Sequence, residues 1–208
     1  MVIQSEYTIL NDSANILIIS FGGMAGQFYG TPPFEFLNFL SAEYKKKIDL
    51  YFYIDVNQCW YHKGIEGISK DINTTVLYLK NKINKKKYKN VIFIGTSSGG
   101  YASILLGSLC SVNNVLAFIP ITTYKNKMIE STYFDLKNII NNKTCYHLYG
   151  DNNITNKKNS HHYSECENIN KFKNVKVIYK KNLSKGGLKI LRDNGILKKI
   201  IDNIINNL

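Results

Sequence analysis

Arginine is nearly missing from this chain: of 208 residues only Arg192 is one, although Lys and Arg together number 27. Recognition of bases and phosphates favours the two-pronged guanidinium fork, so a nucleic-acid partner is not expected in spite of a formal net charge of +12. The lysines gather at Lys45–Lys47, in "NKINKKKYKN" and in "NKKN", as solvated helix ends and loops do. The four cysteines, Cys59, Cys110, Cys145 and Cys166, include no C-x-x-C pair. A structural zinc site is therefore not expected, and reduced, mostly buried thiols are. No apolar run approaches the roughly 20 residues of a membrane span. The opening "MVIQSEYTILNDSANILIIS" has no basic n-region and carries Glu6 and Asp12 early, unlike a signal peptide. A cytoplasmic location is the expectation.

What the chain does have is short apolar runs alternating with helix-like segments. "YTIL", "NILIISF", "DLYFYID", "VIFIGT", "VLAFIP", "CYHLYGD" and "VKVIYK" read as strands, most of them continuous enough to be buried on both faces. Between them, "PPFEFLNFLSAEY", "SKDINTTVLYLKNKI" starting at Ser69, "GGYASILLGSL", "YFDLKNII" and "SHHYSECENINKF" read as helices. The tail reads as two helices broken near Asn194-Gly195. This alternation predicts one α/β domain over residues 1–208, a three-layer α/β/α sandwich with a mostly parallel central sheet.

At mid-chain stands Gly95-Thr96-Ser97-Ser98-Gly99, a G-x-S-x-G pattern between a strand and a helix. A serine forced into a tight strand-to-helix corner brings the flanking backbones together, and glycine is needed two residues to either side. Only Ser97 meets that condition, because Ser98 has Thr96 at minus two. The glycines are not followed by Lys-Ser or Lys-Thr, which excludes a phosphate loop. The helix beginning after Ser97 favours negative charge at its N-terminus, so the Ser98 N–H is a candidate oxyanion donor. A second donor is expected from Gly23 or Met24, in the "FGGM" that follows an early strand.

"FGGM" after an early strand, "GTSSGGYAS" in mid-chain and "YGD" after a late strand together resemble the α/β-hydrolase superfamily, as a compact serine esterase-like member. The resemblance implies a serine, a carboxylate and a histidine in that order, with no metal and no cofactor. Asp151 then falls in the carboxylate position, with Asp55 as an alternative. The histidine that such proteins carry after the last strand is absent here, and Ser184 and Lys185 stand in its place. His162 and His161, about ten residues past Asp151, keep the implied order, with His162 slightly favoured. Trp60 and His62 are candidates for lining a substrate pocket, His62 is also an alternative base, and His147 within a strand suits a core role. Lys185 as a base would need burial to lower its pKa.

The expected activity is carboxylic-ester hydrolysis, with an O-acylated carbohydrate or small molecule as substrate. Acyl transfer on the same scaffold, or a hydrolase-fold binding protein without catalysis, are the alternatives.

Overall fold

A computed structural model describes residues 4–24, 34–125 and 130–206. Seven strands among these residues form one sheet: β1 (Glu6–Ile9), β2 (Ile16–Phe21), β3 (Asp49–Tyr53), β4 (Asn90–Thr96), β5 (Asn114–Phe118), β6 (Cys145–Asp151) and β7 (Val175–Lys180). Their spatial order is β1-β3-β2-β4-β5-β6-β7, and only β1 runs antiparallel to its neighbour. The three-layer expectation holds.

Among the described residues, six α-helices pack on this sheet: α1 (Leu37–Tyr44), α2 (Ile72–Asn84), α3 (Ser98–Cys110), α4 (Ser164–Glu167), α5 (Gly187–Asp193) and α6 (Ile196–Asn206). The period of two along the strands sorts side chains between two apolar layers. Leu17, Ile19, Phe21, Val91 and Phe93 face the layer containing α2 and α3. Ile18, Ile92 and Ile94 face the layer of α1, α5 and α6. Helix α3 is buried from Ser98 to Ser108, so burial rather than an amphipathic pattern holds it. Each fully buried Leu or Ile there contributes about 1.5–3 kcal/mol. Two of its buried serines turn back on the helix, Ser103 Oγ donating to the Gly99 carbonyl and Ser108 Oγ to that of Ile104.

Several local expectations change. Helix α2 is capped by Asp71 rather than Ser69: the Thr74 N–H donates to Asp71 Oδ1 at 2.7 Å in a capping box. Ser69 Oγ instead accepts from the Ile65 N–H at 2.9 Å and closes the loop before it. "YFDLKNII" is not a helix but two short 3-10 turns, Ser131–Tyr133 and Leu136–Asn138, the second opened by Asp135 accepting from the Lys137 N–H. "SHHYSECENINKF" forms only the four residues of α4 as a helix. The break in the tail is as expected, with Gly195 at φ 70° between α5 and α6. Cys59 and Cys166 are buried, Cys110 partly so, and Cys145 is exposed. No helix among the described residues is long and apolar enough to cross a membrane.

Candidate active site

At the end of β4 the chain reverses through Ser97, whose φ of 55° and ψ of −117° lie outside the common regions for a residue with a side chain. The need for glycine on either side is visible atom by atom. A Cβ on Gly95 would lie 2.2 Å from the Gly99 carbonyl oxygen, and one on Gly99 would lie 2.2 Å from that of Phe21. The Ser97 N–H donates to the Phe118 carbonyl at 3.0 Å, which ties the corner to β5. Ser98 begins α3, so its N–H is among the first-turn donors without a partner inside the helix.

Of the two adjacent histidines it is His161 that meets the corner: Ser97 Oγ and His161 Nε2 are 2.8 Å apart. The His162 ring turns away, with Nδ1 2.9 Å from Ser164 Oγ. The loop is set by asparagine side chains, Asn159 Oδ1 accepting from the His161 N–H at 2.9 Å. Burial lowers the His161 pKa from 6.5, against the opposing charges of Asp151 and Glu165. A neutral ring can accept from the Ser97 hydroxyl when its proton sits on Nδ1.

Asp151 is buried at the end of β6 and receives four hydrogen bonds. Its Oδ1 accepts from the N–H groups of Asn153 and Asn182, and its Oδ2 from the N–H and hydroxyl of Ser184. Burial opposes its ionisation, but these bonds outweigh burial and hold the carboxyl below the usual carboxylate range. Ser184, which stands where the family order would put a histidine, thus grips the carboxylate. Asp151 acts on His161 through its charge, and its backbone bridges to His162. Lys185 is exposed.

The "FGGM" turn crosses directly above the start of α3. The Gly22 N–H donates to the Tyr53 carbonyl at 2.8 Å, and the Tyr61 hydroxyl donates to the Gly22 carbonyl at 3.1 Å. The Gly23 N–H is already engaged, donating to Glu35 Oε2 at 3.1 Å. Glu35 was not singled out from the sequence, although a lone carboxylate among the aromatics of "PPFEF" was the available signal.

Trp60 and His62 are both buried with their rings packed on protein partners, and among the described residues Trp60 Nε1 has no hydrogen-bond partner. Trp60 stacks on Tyr124 with ring centres 4.1 Å apart. His62 Nε2 is 2.9 Å from the Tyr101 hydroxyl, and its Nδ1 accepts from the Glu130 N–H at 3.3 Å. Burial pulls His62 down to about 4, so it is neutral near pH 7. The loop that carries them holds Gln58, Trp60 and Tyr61 at φ between 50° and 65°. Asp55 spans it, with Oδ2 accepting from the Tyr61 N–H at 3.0 Å, and burial raises its pKa. His147 Nε2 lies 3.2 Å from Asn114 Oδ1, on β6 and β5, in a structural pairing.

No protein-family model matches the sequence, and no curated protein does. Solved structures do match in fold. The capsule O-acetyltransferase of Neisseria meningitidis serogroup A is similar with a TM-score of 0.62 at 15% identity, over 89% of this chain and 87% of that one. Est1E from Butyrivibrio proteoclasticus gives 0.56 at 10% identity, over 97% and 99% of the two chains. Thermogutta terrifontis esterase 2 gives 0.55 at 10% identity, over 85% and 76%. With its sheet order and strained serine corner, the chain has the α/β-hydrolase fold, on which esterases and an O-acetyltransferase are also built.

Proposed function

We propose that this protein is a serine-dependent acyl-ester enzyme that uses Ser97 as nucleophile and His161 as general base. The observation that carries the reading is the 2.8 Å contact between Ser97 Oγ and His161 Nε2 at a serine with φ of 55°. Ser97 Oγ attacks the ester carbonyl while His161 Nε2 takes its proton. The negative charge on the former carbonyl oxygen is stabilised by the Ser98 N–H and a donor from the Gly23-Met24 turn. Collapse breaks the ester C–O bond, and the proton on His161 goes to the departing alcohol. Water or another hydroxyl, deprotonated by His161, then attacks the acyl carbon, and the bond from that carbon to Ser97 Oγ breaks as the proton on His161 returns to Oγ. Asp151 favours the imidazolium through its charge.

Ester hydrolysis is the first reading, and transfer of the acyl group to a second hydroxyl is the other. The likeness to a capsule O-acetyltransferase supports the latter, and a carbohydrate ester or a small acyl ester suits both.

A fluorophosphonate probe tests the nucleophile. Wild type should label, Ser97→Ala should not while remaining folded, and hydrolysis of p-nitrophenyl acetate should disappear with the label. Absence of labelling in wild type at every pH would leave the binding-protein alternative. Supplying an added alcohol and measuring ester product against free acid separates transfer from hydrolysis.

A further inference from the structure

We propose that Glu35 is the positioning residue of the oxyanion turn: by accepting the Gly23 N–H it fixes that peptide and leaves the Met24 N–H to act with that of Ser98. This deepens the serine-enzyme reading above and rests on it.

The turn is held on three sides. The Gly22 N–H is tied to Tyr53, the Gly22 carbonyl to the Tyr61 hydroxyl, and the Gly23 N–H to Glu35. Glu35 is itself anchored to β2, since Ser20 Oγ donates to its carbonyl at 2.8 Å. The turn is also close to the serine corner. A Cβ on Gly23 would lie 3.1 Å from the Thr96 carbonyl, 3.7 Å from Ser98 Oγ and 3.7 Å from Glu35 Oε2. Glu35 therefore touches the turn beside the two residues that flank Ser97. An N–H already donating to a carboxyl is a poor donor for a reacting oxygen, so the second donor falls to Met24.

The backbone around Glu35 is built to bring its side chain inward. Phe36, directly after it, adopts φ 63° and ψ −2°, a left-handed conformation unfavourable for a side chain of that size. Helix α1 starts only after this reversal, and the Phe36 ring packs near Phe118, with centres 6.1 Å apart. Burial raises the Glu35 carboxyl to about 7, against opposing contributions from Thr96 and the Gly23 N–H. A carboxyl that is partly protonated near neutrality places less than a full negative charge beside a developing oxyanion, so the group can hold the turn at low electrostatic cost.

The test compares Glu35→Met, which keeps length without an acceptor, with Glu35→Gln, which keeps an acceptor without a charge. Glu35→Met should slow fluorophosphonate labelling of Ser97 by about tenfold or more, and lower kcat for p-nitrophenyl acetate similarly with KM little changed. Glu35→Gln should stay within about threefold of wild type on both readouts. The inference is overturned if folded Glu35→Met labels at the wild-type rate, or if Glu35→Gln is as slow as Glu35→Met. A wild type that never labels removes the serine-enzyme reading and the inference with it, a distinct outcome. If Glu35→Met does not fold, the Gly23 amide resonance decides. At pH 8 it should differ between wild type, where a carboxylate accepts the N–H, and Glu35→Gln, where an amide does, and an identical resonance in the two overturns the contact.

Discussion

Ser184 Oγ donates to Asp151 Oδ2 at 2.7 Å, at the place where the order of α/β-hydrolase residues would put a histidine. The carboxylate lies at the end of β6, and its partner from the last loop is a hydroxyl. Ser184→Ala removes one of the four bonds to a buried carboxylate. A hydrogen bond to a charged group is worth about 1.5–3 kcal/mol. Urea unfolding near pH 7 should show a loss of that order, and an unchanged midpoint would contradict the grip described for Asp151.

The two neighbouring histidines should behave very differently. His161→Ala removes the group facing Ser97 and should lower kcat/KM by about a thousandfold or more. His162→Ala removes the contacts to Ser164 and the packing on the Tyr163 ring, neither of which reaches Ser97, and should cost threefold or less by the same measure. Equal losses would speak against the assignment of the base.

The pH profile of kcat/KM follows from the direction of the His161 shift. Burial favours the neutral ring, so the base stays competent below the usual histidine pKa of 6.5. Activity should rise with pH through an inflection below that value and then level. An inflection above 6.5, with a titration that follows His161 by NMR, would contradict the buried setting.

Gly95→Ala and Gly99→Ala each force a Cβ to within 2.2 Å of a backbone oxygen, and backbone has no rotamer with which to give way. Losses above about 4 kcal/mol are expected from strain of this kind. Circular dichroism melts should show either variant unfolded or strongly destabilised. Gly100→Ala would meet Pro120 at 3.2 Å and should be the milder change.

Glu35 also makes a prediction about stability. Its pKa is raised from about 4.5 to about 7 in the fold, so folding favours the protonated form. The wild type should lose stability as pH rises from 4.5 towards 7, because ionisation is easier in the unfolded chain. Glu35→Gln lacks this titration. Its melting temperature relative to wild type should therefore be higher at pH 8 than at pH 5, and a difference independent of pH would argue against the buried carboxyl.

The serine corner was legible because its constraint is local. Gly95 and Gly99 sit at fixed spacing around Ser97, and a strand and helix flank them. The strands were legible for a similar reason, as continuous apolar runs that a sheet covered on both faces requires. The choice of His161 over His162 was not legible. Adjacent residues in an irregular loop differ only in which way the Asn159 turn points them. Glu35 was missed because its contact depends on the left-handed Phe36 and on a turn from another segment. The segment 131–138 has apolar residues at helical spacing but forms 3-10 turns. Its neighbourhood is bound elsewhere: the Thr122 N–H donates to Glu165, and Thr122 in turn accepts the Leu136 N–H.

The loop between β6 and α4 carries the proposed base ahead of the last strand. As the chain leaves the ribosome, nucleophile, carboxylate and histidine have all emerged by residue 161, while β7, α5 and α6 are still to come. The late segment then supplies no reacting atom. It closes the sheet edge and, through Asn182 and Ser184, clamps a carboxylate already in place, while α6 is tied to the rest of the fold by the Tyr44 hydroxyl on Asp202 and the Asn90 amide on the Ile204 carbonyl.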